Sequence, residues 1–198
     1  MLGRSPTATA ALANQEYGEA LQHLRLLRRN DPLDPAVWFL SGNANVGLGR
    51  LSETNACYTT FLDLIPNSHL GFFYRGRCRF EQEDWVGAHA DFNNALKLKP
   101  DFTAALLNRG LVRQKLGRFA AAESDFSKAI DAGKVSTRVY FLRSQVRQQM
   151  GDTDGARADW QQGLDATPND EQAWIARGTA LARRAPREAL RDFDAALA

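Results

Sequence analysis

Apolar and small residues recur along the chain with the spacing of one face of an α-helix. The pattern is clearest between residues 103 and 132, where it predicts two helices, over 103–116 and 119–132, with Gly117 at the break between them. Gly110 leaves space on the first of these helices, and the large Phe126 fills a gap from the second. This stretch therefore predicts two antiparallel helices that pack closely against each other.

The same pattern predicts helix pairs along the rest of the chain, and no linker or low-complexity tract interrupts them. A degenerate opening helix is expected within Met1–Ala13. The other helices are expected over Tyr17–Arg29, Ala36–Leu48, Leu51–Ile65, Leu70–Phe80, Trp85–Leu98, Arg138–Met150, Thr153–Leu164, Gln172–Arg184 and Arg187–Leu197. Prolines such as Pro32 and Pro35 separate successive pairs, because proline cannot continue a helix interior.

The helix pairs form an internal repeat with a period of 34 residues. Its columns hold small residues (Gly42, Gly76, Gly110, Ser144, Gly178), alanines (Ala20, Ala88, Ala122, Ala156), large residues (Leu24, Tyr58, Phe92, Phe126, Trp160) and prolines (Pro32, Pro66, Pro100, Pro168). Six units are expected, at about residues 1–34, 35–68, 69–102, 103–136, 137–170 and 171–198, and the last is one residue short. Together they predict a single repeat domain over residues 1–198.

Several columns that agree at this period make the chain resemble a tetratricopeptide repeat (TPR) protein along essentially its whole length. The resemblance implies an all-α fold, a right-handed superhelical solenoid of antiparallel helix pairs. It also implies that the first helix of each pair lines a concave groove. In this family, such a groove usually takes an extended peptide or a helix of another protein.

Two charged columns share the period. The arginines are Arg75, Arg109, Arg143 and Arg177, and the aspartates are Asp91, Asp125, Asp159 and Asp192. In the second unit both are absent together, since Ser41 and Cys57 stand in their places. Their joint loss favours structural ion pairs between the two helices of a pair, rather than a ladder of cations for an acidic partner. A further column, Arg79, Arg113 and Arg147, either braces neighbouring repeats or faces the groove.

The register of the family places a set of candidate peptide-binding residues in the groove: Phe39, Asn43, Phe73, Tyr74, Arg77, Asn108, Arg138, Phe141 and Gln145. Aromatic side chains would supply apolar contact area, and asparagines can hold a peptide backbone at both N–H and C=O. For about half of the set, packing between repeats is the alternative. The carboxylate clamp with which some family members hold chaperone C-termini is not matched, although Arg77, Asn108 and Arg138 keep part of its chemistry.

Net charge, the length of apolar runs and the two cysteines bear on the possible partners and on the location of the protein. The 198 residues carry a net charge of +2, which gives no case for nucleic acid, and no apolar run approaches the about 20 residues of a membrane span. Cys57 and Cys78 lie within predicted helices, so buried reduced thiols are expected rather than a disulfide. That usage favours a cytoplasmic location.

No catalytic chemistry is predicted. The three histidines lack a metal-binding spacing with the cysteines, and neither a phosphate-binding loop nor a nucleophile elbow is present. We therefore expect no catalytic residue, no metal and no cofactor.

The sequence predicts a protein–protein interaction scaffold or adaptor that binds a peptide or helix of a partner. Two alternatives remain: a regulatory or targeting segment of a larger enzyme, such as a kinase or glycosyltransferase, or a module that self-associates. The last helix has no C-cap, and Leu190 and Leu197 would lack a next repeat to pack against. This end predicts either that the chain is part of a longer protein or that self-association covers its C-terminal repeat.

Overall fold

The computed structural model describes residues 6–133 and 136–197, and within them it contains twelve α-helices and no β-strand. The helices are α1 (Pro6–Ala13), α2 (Tyr17–Asn30), α3 (Pro35–Gly47), α4 (Leu51–Leu64), α5 (His69–Glu81), α6 (Trp85–Leu98), α7 (Thr103–Lys115), α8 (Phe119–Asp131), α9 (Val139–Gln149), α10 (Thr153–Asp165), α11 (Glu171–Leu181) and α12 (Pro186–Leu197). The predicted all-α helical-repeat fold is confirmed.

From α2 onward the helix bounds agree with the predicted ones to within one residue, except at the end of α11. That helix ends at Leu181, three residues before the predicted end at Arg184. The carbonyl oxygen of Leu181 accepts hydrogen bonds from the backbone N–H groups of Arg184 and Ala185, so the chain turns there. Pro186 then begins α12, where its fixed φ suits the first helical position. Residues 1–5 of the predicted opening helix lie outside the described residues.

Polar side chains fix several helix starts. Side chains at the N-cap accept a hydrogen bond from a backbone N–H of the first turn in α3, α5, α6, α10 and α11, where the caps are Asp34, Ser68, Asp84, Asp152 and Asp170. The turn between the two helices of a pair needs one residue in the left-handed backbone conformation, and Gly117 and Gly151 adopt it with φ of 70° and 82°. Glu83 occupies the same column with φ of 59°.

The chain divides into two compact units, Met1–Phe102 and Thr103–Ala198. The first unit contains α1 to α6, and the second contains α7 to α12. Within each unit, consecutive helices pack against each other. Each unit therefore buries its apolar residues between neighbouring helices, as expected for stacked repeats.

Large aromatic rings fill the core between the two helices of a pair. Tyr58, Phe92 and Phe126 are fully buried, and each ring lies over the glycine of the small-residue column in the preceding helix. A Cβ added at Gly110 would lie 2.5 Å from Cε1 of Phe126. Glycine is therefore required at these three positions, because the aromatic ring approaches the helix backbone too closely to leave space for a Cβ atom.

The fifth helix pair solves the same packing problem differently. Ser144 replaces the glycine and donates a hydrogen bond of 2.7 Å to the carbonyl oxygen of Ala156. Trp160, in the aromatic column, is only partly buried and packs against Phe141, with 5.2 Å between ring centroids. Phe141 in turn lies over Gly163, where an added Cβ would meet its ring. In this pair the ring therefore comes from the first helix (Phe141) and the glycine from the second (Gly163), the reverse of the arrangement in the pairs of Tyr58, Phe92 and Phe126.

Two leucines of α12 are exposed, Leu190 with 62% and Leu197 with 88% of their surface accessible. In the part of the chain that the structure describes, no helix combines the length and the apolar character that crossing a membrane requires.

We expect Gly110→Ala to lower the free energy of unfolding by about 1–3 kcal/mol, because the new methyl group would overlap the buried ring of Phe126. Gly18→Ala is the matched control. It also replaces a helical glycine, but nothing lies within 4 Å of its added Cβ, so a gain of up to about 1 kcal/mol is expected. Urea denaturation of both variants measures the difference, and a stabilised Gly110→Ala protein would contradict this account of the core.

Candidate functional site

Each arginine of the first column binds the aspartate on the second helix of its pair through two hydrogen bonds. In α7 and α8, Nε and Nη2 of Arg109 donate to Oδ2 and Oδ1 of Asp125 at 2.9 and 2.7 Å. Three other pairs have this geometry, with distances of 2.6–2.9 Å: Arg75–Asp91, Arg143–Asp159 and Arg177–Asp192. The four aspartates are 0–3% exposed. This two-point geometry is the strong form of a guanidinium–carboxylate contact.

The second arginine column, whose role the sequence left open, binds the same aspartates. Nη1 of Arg79, Arg113 and Arg147 lies 2.8, 2.7 and 3.0 Å from Oδ2 of the aspartate in its own pair. We call each such set an Arg–Asp–Arg cluster: Arg75/Asp91/Arg79, Arg109/Asp125/Arg113 and Arg143/Asp159/Arg147. In α11 the equivalent position is Leu181, so Arg177 and Asp192 form a simple pair.

Within each unit the clusters also contact the preceding helix pair. Nη1 of Arg75 donates to Oγ1 of Thr59 on α4 at 3.4 Å. In the second unit, Arg143 donates to Ser127 on α8 at 3.0 Å, and Arg147 pairs with Glu123 at 2.8 Å. The hydrogen bond with Asp159 raises the pKa of Arg143, which keeps this guanidinium charged. The clusters therefore hold the two helices of a pair together, and those of Asp91 and Asp159 also tie their pair to the preceding pair of the same unit.

The first unit contains a cavity of about 380 Å³, which we call the unit-1 cavity. It is lined by Leu12, Tyr17, Asn43, Val46, Leu51, Tyr58, Tyr74, Arg77, Cys78 and Glu81. Three of the predicted groove residues, Asn43, Tyr74 and Arg77, therefore lie around one opening. Its volume falls within the range of about 300–1,000 Å³ that is usual for ligand pockets.

Two further predicted residues support the unit-1 cavity from outside its lining. Phe39 is partly buried and packs edge-on against Tyr74, with 5.3 Å between centroids. Phe73 is only 7% exposed and packs against Phe102 at 4.8 Å. Phe73 is thus a core residue that offers little contact area of its own.

The polar groups of the unit-1 cavity are partly engaged with each other. Oη of Tyr58 donates a 2.7 Å hydrogen bond to Oδ1 of Asn43. Burial, assisted by Tyr74, raises the pKa of Tyr58, so its hydroxyl stays a protonated donor. The amide N–H groups of Asn43 have no partner among the described residues. Apolar walls and an amide donor thus lie side by side.

Two opposite charges lie at the rim, on consecutive turns of α5. Arg77 and Glu81 are both exposed, and within the described residues no ion pair joins them. The guanidinium of Arg77 lies 6.0 Å from the ring centroid of Phe73. Cys78, the residue after Arg77, also lines the cavity; its thiol lies 3.1 Å from the carbonyl oxygen of Leu51, and burial raises the pKa of this thiol. The cavity is therefore apolar inside and carries both signs of charge at its edge.

The other predicted groove residues belong to the second unit. Nδ2 of Asn108 donates to the carbonyl oxygen of Ala104 at 2.7 Å, and Nη1 of Arg138 donates to Oε1 of Gln172 at 2.9 Å. Gln145 is exposed, whereas Phe141 is buried with 6% accessible. Arg138 also lines a smaller cavity of about 280 Å³ in this unit. The trio of Arg77, Asn108 and Arg138 is thus divided between the two units.

Among the described residues, no group of histidine, cysteine, aspartate and glutamate side chains could hold a metal ion, so there is no candidate metal site in this part of the chain. Cys57 and Cys78 are both buried and free. Burial raises the pKa of Cys57, which keeps this thiol protonated too.

Sequence analysis missed several residues of the unit-1 cavity. Val46 lies three residues after Asn43, and Glu81 lies four residues after Arg77, so helical spacing could have placed both on the same face. Tyr17 lies at the start of α2, a second helix of a pair, in a column of large apolar residues that continues with Leu51, Trp85 and Phe119, so the 34-residue period could have marked it.

The repeated helix pairs and their apolar cavity define a helical-repeat scaffold. Residues 6–53 and 74–136, more than half of the chain, match the family model described as tetratricopeptide repeat. The chain therefore belongs to the tetratricopeptide repeat family, as the sequence columns indicate. The fold of this family is that of protein–protein interaction scaffolds. No curated protein matches the sequence significantly.

Several solved structures share this fold at low sequence identity. MamA is 17% identical, with 80% of this chain and 92% of that chain covered and a TM-score of 0.76. Pseudomonas aeruginosa PilF is 14% identical, with coverage of 96% and 86% and a TM-score of 0.72. The first TPR of Spaghetti (RPAP3), solved with the HSP90 peptide SRMEEVD, is 22% identical, with coverage of 59% and 93% and a TM-score of 0.57.

We expect Asp125→Ala to lower the free energy of unfolding by about 3–5 kcal/mol, because it leaves two largely buried arginines without their carboxylate. Arg113→Ala should cost less, about 1–2 kcal/mol, since Arg109 keeps both of its hydrogen bonds to Asp125. Chemical denaturation of the two variants gives the comparison. Small and equal losses would show that the buried cluster does not brace the helix pair.

Proposed function

We propose that the chain is an interaction scaffold that binds a segment of a partner protein in the unit-1 cavity. The observation that carries this proposal is the cavity itself, where aromatic and aliphatic walls surround a few polar groups on the first helices of two successive pairs. Such a combination is typical of ligand sites in proteins.

A protein segment suits the unit-1 cavity better than a small polar molecule. Val46 on its wall is 48% exposed, and Tyr74 and Leu12 add apolar surface beside it. Buried aromatic and aliphatic contacts of this kind provide most of the energy of protein interfaces. The similar fold of the RPAP3 repeat, solved with an HSP90 peptide, supports peptide binding by this architecture.

The bound segment would meet a surface that is already in place. Arg75 and Arg79 hold α5 to Asp91 of α6, and Arg75 also contacts Thr59 of α4. Fixing these helices beforehand reduces the ordering cost that binding must overcome. The scaffold itself performs no chemistry on its partner in this proposal.

We propose that the second unit extends the same function. Asn108, Arg138 and Gln145 lie on or beside its first helices and present polar groups that can contact a peptide backbone. In this view all six repeats act as one interaction domain, in which the unit-1 cavity holds the main apolar anchor.

We expect Val46→Trp to abolish partner binding, because the indole would fill the unit-1 cavity from its exposed wall. Proteins captured from a lysate of the source organism by the wild type and by this variant are compared by mass spectrometry. A partner retained by the wild type and lost by Val46→Trp is the expected result.

Val86→Trp is the matched control, since Val86 is 74% exposed on α6 and does not line the unit-1 cavity. It should capture the same proteins as the wild type, and far-ultraviolet circular dichroism should show equal helix content in all three proteins. Identical capture by Val46→Trp and the wild type would refute binding at this cavity.

A further inference from the structure

Two opposite charges, Arg77 and Glu81, lie at the rim of the unit-1 cavity. We propose that this segment carries one bulky apolar residue that enters the cavity, an acidic residue that faces Arg77 and a basic residue that faces Glu81. The inference rests on the proposed function and adds the chemistry of the partner to it.

The arrangement of the two charges is the first support. Arg77 and Glu81 are four residues apart on α5, a spacing at which opposite charges on a helix can pair. The structure joins them by no ion pair, although both line the cavity and both are exposed. Two opposite charges on one rim, neither of which forms an ion pair with another described residue, are complementary to a segment that carries the reverse order.

The two charges act on different parts of the cavity. The positive charge of Arg77 opposes the effect of burial on the pKa of Tyr58, and the negative charge of Glu81 adds to the effect of burial on the pKa of Cys78. All four of these residues line the unit-1 cavity, and Arg77 and Glu81 are one helical turn apart on α5. Along α5, the positive charge of Arg77 is thus followed by the negative charge of Glu81 beside the opening of the cavity.

Arg77 also differs from the neighbouring arginines of its helix. Arg75 and Arg79 both bind the buried Asp91, so their charges serve the framework. At the positions equivalent to Arg77 and Glu81, the following repeats carry Leu111 with Lys115 and Gln145 with Gln149. Among these repeats, the order of a cation followed by a carboxylate is thus specific to the third, whose first helix, α5, lines the cavity.

An apolar residue suits the space between the charges. Leu12, Val46 and Leu51 line the interior, and burying a charged side chain against them would carry a large desolvation cost. A segment in the wrong direction would place its acidic residue near Glu81 and its basic residue near Arg77, and such like-charge contacts strongly oppose binding. The rim therefore selects one direction of the chain.

The test uses the full chain and a library of random peptides displayed on phage. One selection uses the wild type, and the other uses the charge-swapped variant Arg77→Glu/Glu81→Arg. We expect peptides from the first selection to carry acidic, apolar and basic residues in one order, and peptides from the second to carry the opposite order. Each set should bind the other protein about tenfold more weakly, as expected for the loss of about 1.4 kcal/mol.

The variant Asp154→Arg/Arg157→Glu is the matched control, because it reverses an exposed ion pair on α10 in the second unit. It should bind the peptides selected by the wild type with unchanged affinity. Equal affinity of those peptides for the wild type and the Arg77→Glu/Glu81→Arg protein would overturn the inference, while their loss by Val46→Trp would still support binding at the cavity.

Two other outcomes would overturn the inference together with the proposed function. One is a library that yields no peptide that distinguishes the wild type from Val46→Trp. The other is a wild-type protein whose mass in solution rises with concentration while that of Val46→Trp does not, again without peptide enrichment. This second result would assign the cavity to a second copy of the chain.

Discussion

A buried aspartate held by two arginines sets the geometry of three helix pairs. Asp125 is fully buried, and a carboxylate in that position is tolerable only when it is paired and hydrogen-bonded. Arg109 and Arg113 meet this demand from consecutive turns of α7, which fixes α8 at one height and angle against it. Because the same contact recurs every 34 residues, successive pairs repeat the same packing.

The second repeat lacks this cluster and supplies much of the unit-1 cavity. There the arginine and aspartate are replaced by Ser41, which donates to the carbonyl oxygen of Val37, and by Cys57, whose sulfur accepts from Asn45. This pair, α3 and α4, contributes Asn43, Val46, Leu51 and Tyr58 to the lining. The Arg–Asp–Arg cluster braces α5 and α6, whereas the aromatic pair of α3 and α4 has no such cluster and contributes apolar surface to the opening. A rigid surface with an apolar opening suits the proposed binding of a partner segment.

The period of the sequence was enough to predict the fold, since glycine, alanine and aromatic columns report directly on close helix contacts such as Gly110 with Phe126. The arginine and the aspartate are both absent from the second repeat, and this joint absence indicated that they are partners. The role of Arg113 could not be predicted, because its column alone does not show that its side chain reaches the same aspartate. Phe73 was placed in the groove by register, yet its ring is buried against Phe102. Register fixes the helix face but not the depth of a side chain.

The most direct test of the scaffold function is a photocrosslinking measurement with the full chain. A photoreactive phenylalanine derivative replaces Tyr74, which lines the unit-1 cavity, and in a second protein it replaces Val86, which is exposed on α6. If a partner segment binds in the cavity, a covalent adduct with one partner forms from position 74 and not from position 86. Adducts of equal yield from both positions, or from position 86 alone, would contradict the account.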